Sequence, residues 1–177
     1  MIRVLFICHG NICRSPMAEF VFKDLVSKSN LTDLFTIASA ATSSEEIWNG
    51  IGNPVYPPAR EEMARHGISC AGKRAVQMQR RDYEEYDYLI GMDSTNIRNM
   101  KRIAGGDPEE KIYKMMEFAG SGWKMAAEGK RDMERAADVA DPWYTGNFGA
   151  TWRDVTAGCE GLLEFFGTVY GLPVRIK

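Results

Sequence analysis

The stretch Val4-Leu5-Phe6-Ile7-Cys8-His9-Gly10-Asn11-Ile12-Cys13-Arg14-Ser15-Pro16 changes character twice in thirteen residues. Val4–Ile7 is a continuous apolar run, the pattern of a central strand buried on both faces of a parallel sheet. Cys8–Pro16 is a tight loop. Beyond it Met17, Ala18, Val21, Phe22, Leu25 and Val26 recur at helical spacing. Ser15 is the expected N-cap of that helix and Pro16 its first residue. A loop between a strand and a helix aims backbone N–H groups at a point above the helix N-terminus, where an anion is favoured. Gly10 lets the backbone curl close to that point. Arg14 adds a planar fork of donors that matches phosphate oxygens. Cys8 then occupies the most positive spot, which favours its thiolate and makes it a nucleophile beneath a bound phosphate.

A core cysteine and a surface cation would explain most Cys and Arg residues at this separation. The flanking strand, Gly10 and the Ser-Pro helix start favour the phosphate loop instead. Cys8, His9, Cys13 and His66 could supply four zinc ligands, but they lack the usual ligand-pair spacing, so no metal is expected.

Outward from the loop, Phe35–Ser39, Tyr88–Met92 and Lys111–Met115 are the further strand candidates. Helical patterns lie at Pro58–His66, ending at Gly67, and at Ser94–Ile103, ending near Gly105-Gly106. Trp152, Val155, Cys159, Leu162, Leu163, Phe166 and Tyr170 form the stripe of a last helix. Gly158 and Gly161 inside it suggest a close approach to the sheet. Glu117–Ala140 is polar and glycine-containing, an exposed excursion. Strands alternating with helices imply an α/β fold: a parallel, twisted four-stranded sheet with helices on both faces and the phosphate loop after the first strand.

The chain of 177 residues suits a single domain spanning 1–177, large enough for one core. Twenty-two basic against 24 acidic residues leave a charge of −2, which argues against a nucleic-acid binder. No apolar run is long enough to cross a membrane, and the run at Val4–Ile7 is too short for a signal peptide. Four cysteines, at 8, 13, 70 and 159, fit a reducing cytoplasm better than a disulfide scaffold.

Cys8-His9-Gly10-Asn11-Ile12-Cys13-Arg14-Ser15 resembles the active-site signature of the low-molecular-weight protein tyrosine phosphatases. Asp141-Pro142-Trp143-Tyr144 resembles that family's general-acid loop. Ser39-Ala40-Ala41-Thr42-Ser43, Gly52-Asn53-Pro54, Arg65-His66-Gly67-Ile68 and Met92-Asp93 resemble further landmarks, so the likeness covers nearly the whole chain. It implies hydrolysis of phosphotyrosine and small aryl phosphates without a cofactor. Cys8 would form a phosphocysteine, Arg14 would bind phosphate, and Asp141 would act as general acid and then base. Ser15 would donate to the thiolate and Asn11 would brace the loop. His9, Gly10, Ile12 and Cys13 would complete the phosphate site, with Trp48, Trp143 and Tyr144 as aromatic walls. The phosphate dianion and the Cys8 thiolate, being like charges, would favour the protonated form of Asp141 that an acid needs. Pro142 keeps Asp141 out of the helical region.

Some features depart from the pattern. His9 stands where many relatives carry an apolar residue, Ala38 stands where many have Asp, and the approach to Asp141 is longer than usual. Asp93 is placed to brace the site without a legible partner. His66 is expected to cap the last carbonyls of its helix. The resemblance implies inorganic phosphate and other oxyanions as loop ligands, no nucleic-acid or membrane partner, and a monomer or weak dimer. Two alternatives share the fold. An arsenate reductase would need a close pair of further cysteines. A protein arginine phosphatase typically has Thr where Ile12 stands. A thiol-based phosphate sensor without turnover is a further, non-enzymatic alternative, and an intact Asp141 argues against it.

Overall fold

The structure is a computed structural model and describes residues 1–176; the expected domain end at 177 lies outside the described residues. Its central strand, β1 (Ile2–Cys8), alternates between two cores, as the period of two requires. Val4, Phe6 and Cys8 face one core, and Leu5 and Ile7 the other. Helix α1 (Arg14–Lys28) returns the chain to β2 (Phe35–Ala41) through a short 3-10 turn at Thr32–Leu34. The strand runs two residues beyond the expected Phe35–Ser39.

The start of α1 corrects the sequence expectation. The helix begins at Arg14, Cys13 stands at the N-cap, and Ser15 caps nothing. Ser15 cannot do both tasks, because its hydroxyl is turned inward onto the Cys8 sulfur. Pro16 is the third helical residue, still in the turn whose N–H groups have no intrahelical acceptor.

A two-stranded ribbon follows, β3 (Ile47–Trp48) and β4 (Ile51–Gly52), joined by Asn49-Gly50. Both turn residues have positive φ, 51° and 76°, as a tight hairpin of the primed type demands. Next come α2 (Pro57–Arg65), α3 (Arg80–Glu85), β5 (Tyr88–Gly91), α4 (Ser94–Ala104) and β6 (Ile112–Lys114). A 3-10 turn at Met115–Glu117 leads to α5 (Gly122–Ala127), α6 (Pro142–Thr145) and the long α7 (Phe148–Tyr170).

The main sheet has the order β2-β1-β5-β6, with every pair parallel. The chain leaves β1 toward β2 and later returns to its other side as β5. That reversal is a switch point, where ligands of open α/β sheets bind beyond the strand ends. The Cys8–Arg14 loop lies there. On one face α1 and α7 bury Phe22, Leu162, Leu163 and Phe166 against Val4 and Phe6. On the other, α3 and α4 bury Tyr83, Ile97 and Met100 against Leu5 and Ile7.

Two further details differ from expectation. The glycines of α7 make their close approach to the turn after β6, not to the sheet. A Cβ on Gly161 would overlap the Phe118 carbonyl, and one on Gly158 would press the Met115 side chain. The Glu117–Ala140 excursion is mostly exposed, yet it is pinned. Arg131 pairs with Glu117 at 3.1 Å and lies over the Tyr113 ring, Lys114 pairs with Asp138 at 2.6 Å, and Val139 is fully buried.

Candidate active site

The loop after β1 turns its carbonyls away from its own centre. The carbonyls of Cys8, His9 and Ile12 accept from the amides of Thr42, Ser43 and Tyr56, and that of Cys13 from Met17. Neighbouring segments therefore satisfy the acceptors. Asn11 adopts a left-handed φ of 58°, a conformation its short polar side chain tolerates. Its amide N–H donates to the Cys8 sulfur at 3.3 Å.

A buried polar chain supports the nucleophile from beneath. Cys8 Sγ lies 3.0 Å from Ser15 Oγ, which accepts from Asn11 Nδ2 at 2.8 Å. The same amide donates to Ser39 Oγ at 2.9 Å, and Ser39 donates to Glu19 Oε1 at 2.6 Å. Glu19 is buried and paired with Lys73 and Lys23. Burial holds the Lys73 ammonium below its ordinary value, with Glu19 opposing that shift. The sequence marks Ser39 as a landmark without a role, and Glu19 and Lys73 were missed. Glu19 had a signal: it lies one helical turn after Ser15, on the same face, inside an otherwise apolar stripe.

Arg14 is 2% exposed. Its Nη1 donates to Asp93 Oδ2 at 2.7 Å and to the Val139 carbonyl at 2.8 Å, and its Nη2 lies 3.5 Å from Asp141 Oδ2. Burial works against the guanidinium charge, but the field of Cys8 and the Asp93 bond outweigh it and hold Arg14 above its ordinary value. Asp93 thus has the partner the sequence did not reveal. Asp93 also caps α4 by accepting from the Asn96 amide, which fixes the carboxylate from both sides. Asp141 caps α6, accepting from the Trp143 amide at 3.1 Å.

These groups converge on one cleft. Cys8, His9, Gly10, Ile12, Cys13 and Arg14 line it, facing Asp141, Trp143 and Tyr144. Trp143 is steadied by an edge-to-face contact with Tyr56 at 4.9 Å, while Tyr144 is 84% exposed. Asn11 and Ser15 act from below the loop instead of lining it. Trp48 is not among the residues that line the cleft and is 72% exposed on the β3–β4 ribbon, paired across it with the exposed Ile51. In its place Glu45 and Glu46 reach the rim, with Glu45 paired to His9 at 3.0 Å. His66 stands at the C-cap of α2, its backbone N–H donating to the Met63 carbonyl, while its ring stacks flat on Trp152 at 3.9 Å and lies 3.6 Å from Glu62. Among the described residues no cluster of His, Cys, Asp and Glu could hold a metal.

Comparison with known proteins identifies the family. The family model for low molecular weight phosphotyrosine protein phosphatases matches residues 3–168. The low molecular weight protein-tyrosine-phosphatase YfkJ of Bacillus subtilis is 38% identical, over 92% of this chain and 94% of its own. The crystal structure of YfkJ superposes with a TM-score of 0.80, covering 94% of each chain. A low molecular weight protein tyrosine phosphatase from Streptococcus pyogenes, 36% identical, superposes with a TM-score of 0.73 over 93% of this chain and 92% of its own. A drosophila arginine phosphatase, 25% identical, superposes at 0.72 over 92% and 96%. The chain belongs to the low molecular weight phosphotyrosine protein phosphatase family.

Proposed function

We propose that this protein hydrolyses phosphotyrosine and small aryl phosphate monoesters through a phosphocysteine on Cys8. The observation that carries this reading is the convergence of Cys8, Arg14 and Asp141 on one cleft. The Cys8 thiolate attacks phosphorus, and the bond from phosphorus to the aryl oxygen breaks. Asp141 gives its proton to the departing oxygen. A water then attacks the phosphocysteine, Asp141 takes a proton from it, and the sulfur leaves as thiolate with release of inorganic phosphate. Ser15, 3.0 Å from Sγ, stabilises the thiolate when it forms and when it leaves. Arg14 and the loop amides are fixed before substrate arrives, so they stabilise the developing charge without reorganising. Splitting the hydrolysis into two displacements lowers each barrier.

The reading includes one domain over the whole chain, a cytoplasmic location, and a monomer or weak dimer that also binds inorganic phosphate and other oxyanions. No helix among the described residues is long and apolar enough to cross a membrane. Arsenate reduction is disfavoured, because Cys70 and Cys159 are buried with their thiols pushed up by that burial.

The test is aryl phosphate hydrolysis in the presence of a chelator, with arsenate-dependent thiol consumption measured alongside. Cys8→Ser should abolish turnover and keep oxyanion binding, and Arg14→Ala should lose both. Asp141→Asn should lower kcat/KM about 10²–10⁴-fold for poor leaving groups and much less for activated ones. Turnover by Cys8→Ser above a trace would overturn the covalent mechanism.

A further inference from the structure

The segment that leads into Asp141 is held by a cation with no part in the mechanism above. Lys114 ends β6, and its side chain is 3% exposed. An ammonium has three donors, and each has an acceptor: Asp138 Oδ1 at 2.6 Å, the Ala136 carbonyl at 2.8 Å and Ser94 Oγ at 3.0 Å. Two of those acceptors belong to the stem of the acid loop. The third is the first residue of α4, directly after Asp93. Asp138 in turn accepts from the amide of Ser94 at 3.0 Å.

The next residue continues the tie. The Val139 amide donates to the Met92 carbonyl at 2.9 Å, and the Val139 carbonyl accepts from Arg14 at 2.8 Å. Asp141 is two residues further on, so the chain between spans at most about 7 Å. Asp138 and Val139 therefore anchor the short segment from which the Asp141 carboxylate reaches the site.

We infer that Lys114 is a positioning residue: with Asp138 it docks the stem of the acid loop against the ends of β5 and β6, and so sets where Asp141 meets the leaving oxygen. The inference rests on the reading of Asp141 as the acid. Phosphate binding is touched less than proton delivery, because Arg14 keeps its charge-assisted bond to Asp93 when the Val139 carbonyl shifts.

A merely structural tie would affect all substrates alike. The positioning role is therefore read from leaving-group dependence. The experiment measures kcat/KM for phenyl phosphate, whose leaving group needs a proton, and for 2,4-dinitrophenyl phosphate, whose leaving group does not. It compares wild type, Lys114→Met, Asp138→Asn and Asp141→Asn, and records inhibition by inorganic phosphate for each. Misplacing a catalytic group by about 1 Å can cost on the order of 10²-fold. Lys114→Met should thus lose roughly 10–100-fold on phenyl phosphate, far less on the dinitrophenyl ester, and weaken phosphate inhibition by no more than the dinitrophenyl ester loses. Asp138→Asn should follow in the same direction with a smaller loss, because its amide oxygen still accepts from Ser94. If Lys114→Met does not fold, the half-exposed Asp138→Asn decides the matter alone. Equal losses on both esters, or no loss on either, overturn the inference. If Asp141→Asn shows the leaving-group signature and the stem variants do not, only this inference fails. If Asp141→Asn shows none, the acid assignment fails and takes the inference with it.

Discussion

At the residue scale, Ile12 and the cysteines separate selectivity from reactivity. Ile12 lines the cleft and is nearly buried, so it offers hydrocarbon to a phenyl ester and no hydrogen bond to a guanidinium. One apolar contact is worth about 1–3 kcal/mol, or roughly 10–200-fold, so Ile12 biases the choice of substrate without dictating it. Ile12→Thr should raise kcat/KM on phosphoarginine and lower it on phosphotyrosine. An unchanged ratio would remove Ile12 from the selectivity argument, and a wild type that prefers phosphoarginine would overturn the substrate assignment. The other thiols are set apart by their surroundings. Burial, reinforced by the negative charge of Cys8, pushes the Cys13 thiol up, and burial does the same to Cys70 and Cys159. A raised thiol stays protonated at neutral pH, and the protonated form is a poor nucleophile. Iodoacetamide at neutral pH should therefore modify Cys8 alone in the folded protein, and inorganic phosphate should protect it. Mass-spectrometric mapping that finds Cys13 modified first would contradict this.

At the element scale, α7 shows how two glycines in one helix have opposite meanings. Gly161 lies where a Cβ would overlap the Phe118 carbonyl, and a backbone atom cannot step aside as a flexible side chain can. Gly149, in the first turn, would place a Cβ at ordinary contact distance, 3.7 Å from Asn147 Oδ1 and 3.9 Å from Glu62 Oε1. Gly161→Ala should then destabilise by about 1–3 kcal/mol or more through overpacking. Gly149→Ala should stabilise by about 0.4–1 kcal/mol, because the unfolded chain loses freedom while the folded one loses nothing. Urea unfolding midpoints of the two variants should move in opposite directions. If both fall, the first turn of α7 is packed more tightly than these distances show.

At the scale of the whole molecule, the chain's own order explains which features could be read in advance. The strand, loop and helix of Val4–Val26 are contiguous, so their periodicities expose the phosphate site directly. The partners of Arg14 are not contiguous: Asp93 is 79 residues away and Val139 is 125. Their meeting depends on the reversal of strand order around β1, which no local pattern encodes. Ser15 was misread as a cap because capping and the bond to Cys8 compete for one hydroxyl. Trp48 was expected at the cleft but is exposed, because a two-residue strand carries no periodicity from which its facing could be read. The same architecture separates stability from chemistry. Phe166 is fully buried within 6 Å of Phe22, Phe35 and Tyr88, which come from α1, β2 and β5. The site instead sits beyond the strand ends and is held by its own polar network. Phe166→Ala should cost about 3–5 kcal/mol, a large share of the ~5–15 kcal/mol that holds a domain of this kind together. Its kcat/KM per folded molecule, measured well below the unfolding transition, should stay within a few-fold of wild type. A loss of kcat/KM in a variant that remains folded would mean that the aromatic core also sets the position of α1, and through it the geometry of the phosphate loop.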